Sequence, residues 1–142
     1  MGKYDSFNSY NYGVHQKIVN YVGLNKKVLD VGCAEGILSK KFLNNKCEVV
    51  GVELDESSAI SAKRYCKEVI IGDLETLKLK RKYQGYFDVL VFADVLEHLK
   101  EPSKVLKRFQ YCLKDDGLII ISIPNVANWR MRLKLLLGNF EY

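Results

Sequence analysis

The chain has 142 residues, of which 48% are apolar, and its formal net charge is +5. This length predicts one domain, 1–142, with a core of its own, and the apolar content excludes an intrinsically disordered chain. No apolar run approaches the roughly 18 residues that cross a bilayer, and the polar N-terminus lacks a signal-peptide core, so we predict no membrane association.

Cysteine spacing and the distribution of basic residues further narrow the class of protein to which the chain can belong. The four cysteines, Cys33, Cys47, Cys66 and Cys112, form no Cys-x-x-Cys pair, which argues against both a zinc site and a disulfide framework. We therefore predict no bound metal, buried side chains for Cys33, Cys47 and Cys112, and a cytoplasmic location. The basic residues are dispersed over the polar sides of predicted helices, which favours a solvated surface over a nucleic-acid interface.

Apolar runs and helical periodicities alternate along the chain, with turn residues between them. In chain order we predict a helix at 10–22, strand one at 27–31, a helix at 36–45, strand two at 48–52, a helix capped by Asp55, strand three at 69–71, a loop at 74–85, strand four at 87–92, a helix begun by Pro102, a turn at 115–117, strand five at 118–123 and a final helix at 125–137.

This alternation predicts an α/β fold, a doubly wound parallel sheet with helices on both faces. Right-handed crossovers favour the strand order 3-2-1-4-5, which reverses between strands one and four. Ligands of such sheets bind at that reversal, beside the carboxyl ends of the strands. The segments 30–36, 53–55, 72–74 and 93–94 should therefore converge on one crevice, and each of them carries an acidic residue.

Residues 28–36, with the sequence VLDVGCAEG, predict a buried strand that runs into a small-residue turn and then a helix. Such a turn lets the backbone approach a nucleotide, and the helix start offers free N–H groups. Asp30 before the turn, and glycines four apart at Gly32 and Gly36, suit a ribose and a cationic tail better than a pyrophosphate. A dinucleotide-binding G-x-G-x-x-G turn would need a small residue where Ile37 stands.

These motifs together resemble the class I S-adenosylmethionine-dependent methyltransferases. The small-molecule enzymes of ubiquinone and menaquinone biosynthesis, of methyltransferase type 11/12, are the most similar. The resemblance covers residues 26–124 and is carried by the segments 28–36, 52–55, 72–75, 87–90, 94–99 and 113–118. It implies a Rossmann-like sheet, S-adenosylmethionine as cofactor, S-adenosylhomocysteine as product and a small-molecule acceptor methylated at oxygen, nitrogen or carbon.

The resemblance implies that the turn after strand one binds the methionine part of the cofactor. Asp30, Gly32 and Gly36 would surround that part, with Asp30 near its ammonium group. Cys33 and Ala34 complete the turn. Cys33 also suits a packing role, and Ala34 stands where the family often has glycine, although a small side chain should be tolerated there.

The ends of strands two and three are implied to bind the nucleoside. Glu53 would accept hydrogen bonds from both ribose hydroxyls, and Leu54 would pack on the adenine face. Asp73 would accept from the adenine amino group, with the Leu74 amide beside it. Carboxylates carry only acceptor oxygens, which match hydroxyl and amino donors and would repel the phosphates of a dinucleotide.

The end of strand four is implied to lie near the methyl group. Ala93 or Asp94 would contact the methionine end of the cofactor. His98, on the same face of a predicted helix as Asp94, is a candidate base that deprotonates an acceptor hydroxyl. A structural or surface role for His98 is the alternative, because many methyl transfers need positioning more than a strong base.

The chain departs from the family beyond strand five, where an antiparallel hairpin usually completes a seven-stranded sheet. We expect that hairpin to be absent and the chain to be C-terminally truncated, so that strand five is an exposed edge. This edge, or the C-terminal helix, could form a homodimer. Two alternatives stay open: a non-catalytic S-adenosylmethionine-binding or interaction module, and an NAD(P)-dependent Rossmann oxidoreductase.

Overall fold

The structure, a computed structural model, describes residues 5–124, with side chains from residue 13 onward. Its elements are α1 (Asp5–Val22), β1 (Lys27–Val31), α2 (Ile37–Asn44), β2 (Glu48–Glu53), α3 (Glu56–Ala62), β3 (Glu68–Ile71), β4 (Phe87–Ala93), α4 (Pro102–Gln110) and β5 (Leu113–Ser122), with single 3₁₀ turns at Arg81–Tyr83 and Leu96–His98. The final helix predicted at 125–137 lies outside the described residues. None of the helices within residues 5–124 combines the length and apolar character needed to span a membrane.

Residues 5–124 contain one sheet of five parallel strands in the order β3-β2-β1-β4-β5, which confirms the predicted order. The central strand β1 pairs with β2 on one side and β4 on the other, so that Leu29 is aligned with both Val50 and Leu90. Because all the strands run in one direction, the ends of β1, β2, β3 and β4 meet at the same edge of the sheet.

Alternate residues of β1 point to opposite faces of the sheet, as in any strand. Val28 packs in a cluster with residues of α1 and α2, and Asp30 points the same way, toward Ser39 of α2. Leu29 and Val31 pack in a second cluster that includes residues of α4. The sheet is therefore covered by helices on both faces.

Local sequence signals fix several helix starts. The Asp55 carboxylate accepts a hydrogen bond from the Ser58 N–H at 2.8 Å, so the predicted cap of α3 is confirmed. Pro102 is the first residue of α4, where its missing N–H is tolerated. The opening helix α1 begins earlier than predicted, at Asp5.

The predicted turn at 115–117 is wrong, because these residues lie within β5. Phe87 is aligned with Leu113 and Val89 with Leu118, so the segment between Leu113 and Leu118 bulges out of the ladder without ending the strand. Lys114 anchors this bulge through a 2.6 Å ion pair with Asp88 of β4.

Candidate functional site

The carboxyl ends of β1 to β4 surround one open cleft of about 330 Å³. This volume falls within the roughly 300–1,000 Å³ of small-molecule sites. Of the residues singled out from the sequence, those that line the cleft are Gly32, Glu53, Leu54, Asp73, Leu74, Asp94 and His98. Those lining it to which the sequence assigned no role are Val52, Glu75, Val95, Leu99 and Lys100. Most of these belong to motifs already noted, but Lys100 lies outside them and gave no sequence signal.

The carboxylate of Glu53 is held in place by three backbone N–H groups. Its Oε1 accepts from Leu54 and Asp55, both at 2.9 Å, and its Oε2 accepts from Ala34 at 2.8 Å. Each carboxylate oxygen has two lone pairs, so Oε2 keeps one acceptor position open and Oε1 keeps none. Glu53 can thus accept one further hydroxyl in this geometry, and a second after one backbone donor is released.

Gly32 begins the turn after β1 in a left-handed conformation, with φ +72°. A Cβ atom at this position would lie 2.5 Å from Cγ2 of Val95, which follows β4. Only glycine satisfies both the backbone angle and this close approach. Ala34 is also left-handed, with φ +47°, which is strained for alanine and explains why a glycine suits this position.

Besides Ala34, three other predicted residues of the site do not line the cleft. Gly36 precedes α2 with φ +85°, and a Cβ atom there would lie 3.0 Å from Cα of Ala62 in α3. Cys33 is buried, and a hydrogen bond with Cys66, together with burial, raises the pKa of its thiol. Ala93 is partly buried against the cluster under α1 and α2. These residues shape the turn from below.

Asp30 is almost fully buried, with 1% of its surface exposed, and is not part of the cleft lining. Its Oδ2 accepts a 2.6 Å hydrogen bond from the Ser39 hydroxyl of α2. Burial raises the pKa of Asp30 to about 6, the Ser39 hydrogen bond opposes this, and the nearby Glu53 charge adds to it. Asp30 therefore lies beneath the turn, because the alternation of side chains along β1 points it toward Ser39 of α2.

Asp73 organises the loop that follows β3. Its Oδ1 accepts from the Glu75 N–H at 2.8 Å, and its carbonyl oxygen accepts from the N–H groups of Thr76 and Leu77. The N–H of Leu74 makes no hydrogen bond within residues 5–124. Leu54, which lines the same cleft, exposes 65% of its surface. Together these residues offer a carboxylate, a free N–H and an apolar side chain.

The structure corrects the prediction that Asp94 and His98 share a helical face. Asp94 has a left-handed φ of +53°, and only a 3₁₀ turn at Leu96–His98 follows it. Asp94 binds Ser122 of β5: its N–H donates to the Ser122 carbonyl, and its Oδ1 accepts from the Ser122 hydroxyl at 2.9 Å. The His98 side chain is 73% exposed and lies 3.9 Å from Glu97. Both residues line the cleft independently.

Ile37 does not lie in the close helix–strand packing that was expected of position 37: it begins α2 with 60% of its surface exposed, so its bulk does not exclude a dinucleotide. The close contact is made by Gly36 instead. What disfavours a dinucleotide here is the charge of the cleft.

The cleft is lined by more acidic than basic side chains. Among residues 5–124, its carboxylates belong to Glu53, Asp73, Glu75 and Asp94, and Lys100 is the lysine that lines it. Carboxylates accept hydrogen bonds from hydroxyl and amino groups and attract cations, but they repel phosphates. The cleft therefore suits a hydroxylated, cationic ligand of small-molecule size.

Comparison with known proteins identifies the group to which this fold and site belong. The sequence model of a family described as a methyltransferase domain matches residues 8–142. A ubiquinone biosynthesis O-methyltransferase of Acinetobacter baylyi is 27% identical over 105 residues, which cover 70% of this chain and 44% of that relative. The chain thus spans less than half the length of this curated relative.

Solved structures share the fold. The PH0226 protein of Pyrococcus horikoshii superposes with a TM-score of 0.74 at 27% identity, covering 94% of this chain and 62% of that one. An S-adenosylmethionine-dependent methyltransferase of Mesorhizobium loti superposes with a TM-score of 0.68 at 19% identity, covering 80% and 53%. At 19% identity the second likeness concerns the fold alone.

Proposed function

The chain belongs to the class I S-adenosylmethionine-dependent methyltransferases, and we therefore propose that its cleft binds S-adenosylmethionine and that the protein transfers the methyl group to a small-molecule acceptor. The observation that carries the proposal is the acidic cleft at the ends of β2, β3 and β4, in which three N–H groups fix the Glu53 carboxylate.

The nucleoside part of the cofactor is proposed to bind along β2 and β3. Glu53 would accept a ribose hydroxyl on the open position of Oε2, and a second hydroxyl in exchange for one backbone donor. Asp73 would accept from the adenine amino group, and the Leu74 N–H would donate to a ring nitrogen. The exposed side chain of Leu54 would cover the adenine face.

The methionine part is proposed to lie between the turn after β1 and the end of β4. Gly32 and Asp94 line the cleft there, so Asp94 is the carboxylate that would face the ammonium group and sulfonium. Asp30 is proposed to contribute indirectly, by supporting the turn after β1 that lies above it. The other predicted contacts would contribute backbone atoms and the shape of the site. They are Cys33, Ala34, Gly36 and Ala93.

When bound, S-adenosylmethionine supplies an electrophilic methyl group on a good leaving group. The chain's own contribution would be to align an acceptor atom and to exclude water, which are the main sources of rate in such transfers. His98 and Asp94 are proposed as the groups nearest the acceptor, where either could take a proton from a hydroxyl or an amine.

Isothermal titration calorimetry with S-adenosylmethionine, S-adenosylhomocysteine and NADH tests the proposed ligand. We expect the two sulfur compounds to bind and NADH to give no heat of binding. Binding of NADH alone would favour the oxidoreductase, and the absence of any binding by the two sulfur compounds would refute the proposal.

A methyl-transfer screen tests the proposed activity. The protein is incubated with methyl-labelled S-adenosylmethionine and with phenols, amines and activated carbon acids, and labelled products are detected by mass spectrometry. We expect transfer to at least one class of acceptor. Cofactor binding without any transfer would favour the non-catalytic module.

Partners and location are proposed on separate grounds. Leu118, Ile121 and Ile123 at the β5 edge are exposed within the described residues, which supports a homodimer through this edge. Sedimentation velocity checks the oligomeric state. The free thiols of the chain support a cytoplasmic location and its dispersed charge supports a protein without a nucleic-acid partner.

A further inference from the structure

Arg108 reaches from α4 to the loop that follows β3. Its Nη1 donates to the carbonyl oxygen of Leu74 at 2.8 Å and to that of Leu77 at 3.4 Å. The side chain is partly buried. A guanidinium group is a rigid fork of donors, so it can hold two carbonyl groups in a fixed relation.

The peptide group between Leu74 and Glu75 connects Arg108 to the cleft. Its carbonyl accepts from Arg108, and its N–H donates to Oδ1 of Asp73 at 2.8 Å. Because a peptide group is planar, fixing the direction of the carbonyl also fixes the direction of the N–H. The position of the Asp73 carboxylate therefore depends on Arg108.

Other contacts hold the same loop. The Asp73 carbonyl accepts from the Thr76 and Leu77 N–H groups, which closes a turn around this peptide. The Lys100 N–H donates to Oε1 of Glu75 at 2.5 Å and joins the loop to the segment after β4. The Leu77 side chain packs beside Gly72 and against the core under α4. These contacts hold the loop near the sheet, and Arg108 adds a side-chain donor to its Leu74 and Leu77 carbonyl groups.

We infer that Arg108 is a positioning residue for base selection: through the Leu74–Glu75 peptide it aims Asp73 at the exocyclic amino group of a 6-aminopurine. This inference rests on the proposed function, in which Asp73 accepts from adenine. Arg108 itself need not touch the ligand.

Titration calorimetry with two probes tests the inference. S-adenosylhomocysteine carries the 6-amino group, and S-inosylhomocysteine carries an oxygen there that cannot donate to Asp73. We expect the parent protein to prefer the adenosine compound. Arg108→Ala should weaken its binding about tenfold and leave binding of the inosine compound within about twofold, because only the amino group uses the carboxylate that Arg108 aims.

Two further variants complete the test. Lys107→Ala removes an exposed cation from the same helix and should leave both affinities unchanged. Arg108→Lys can still donate to one carbonyl and should lie between the parent and Arg108→Ala; it also carries the test if Arg108→Ala fails to fold, as judged by its thermal melt.

The outcomes separate the inference from the proposed function. Equal losses of affinity for both probes, no loss for either, or a parent protein that binds both equally would overturn the role of Arg108. A parent protein that binds neither probe would overturn the proposed function itself.

Discussion

The Ala34 N–H donates a 2.8 Å hydrogen bond to Oε2 of Glu53, joining the turn after β1 to the end of β2. The residue that is proposed to bind the ribose is therefore also part of the framework that shapes the turn. Cofactor binding and local structure should be coupled at this point.

Replacement of Glu53 by Gln should weaken S-adenosylhomocysteine binding by about 2 kcal/mol, roughly thirtyfold. An amide offers only one acceptor oxygen, so its NH₂ group must face at least one of the N–H donors now bound to Glu53. Calorimetry measures the loss. Glu56→Gln, at the exposed start of α3, is the matched control and should bind like the parent protein. Similar affinity of both variants would contradict the proposed ribose contact.

Replacement of Asp30 by Asn should remove a pH dependence of stability. The folded pKa of Asp30, about 6, lies above its ordinary value of 3.8, so the native state binds more protons than the unfolded state between these values. The free energy of unfolding should then fall as the pH rises from about 4 to about 7, by about 3 kcal/mol from this group.

Urea denaturation of both proteins across this pH range measures the effect. The stability of Asp30→Asn relative to the parent protein should rise with pH by that amount. Ser39→Ala removes a hydrogen bond that lowers the pKa of Asp30, so it should move the transition to higher pH. Parallel stability curves for the parent protein and Asp30→Asn would contradict a buried, titrating carboxyl.

Replacement of Ala34 by Gly should stabilise the fold by about 1 kcal/mol. Ala34 has a left-handed φ of +47°, a conformation that carries a steric penalty of roughly 1–2 kcal/mol for an L-residue with a Cβ atom, partly offset by the greater unfolded-state entropy of glycine. Chemical denaturation checks this, and a destabilised variant would show that the Cβ atom of Ala34 makes favourable contacts.

The opposite change at Gly32 should destabilise the fold. Gly32→Ala combines the left-handed penalty with a Cβ atom placed 2.5 Å from Val95, and we expect a loss of about 3 kcal/mol. Val95→Ala in the same chain should restore part of this loss, because it removes the clash but not the strained φ. If the double variant loses as much unfolding free energy as the two single variants lose together, positions 32 and 95 are not in direct contact.

Replacement of His98 by Ala should lower kcat/KM less than tenfold with whichever acceptor the methyl-transfer screen identifies. The imidazole is 73% exposed, and its 3.9 Å separation from Glu97 is too long for a hydrogen bond that would orient it as a base. A positioned general base contributes roughly 10²–10⁴-fold. A loss of that size, together with a changed pH profile, would instead assign the proton transfer to His98.

Several features of the fold and the site could be predicted from the chain itself. Continuous apolar runs such as residues 87–92 predict strands. The short connections between elements leave few possible topologies, because crossovers are right-handed. Because the carboxyl ends of parallel strands meet at one edge, the acidic residues at those ends could be assigned to one crevice from the sequence. The cap of α3 by Asp55 could also be predicted, because a capping signal lies within one turn of the helix start.

The sheet order and the cleft's acidic chemistry thus follow from local patterns, namely the apolar runs that form the strands and the acidic residues that end them. Which of these acids face the cleft depends on the folded structure. Asp30 turns beneath the cleft toward Ser39, whereas three N–H groups hold Glu53 at its rim. The folded structure also decides why position 32 is glycine, because Val95, distant in sequence, packs there. Side-chain direction and close approach depend on neighbours brought together only by folding.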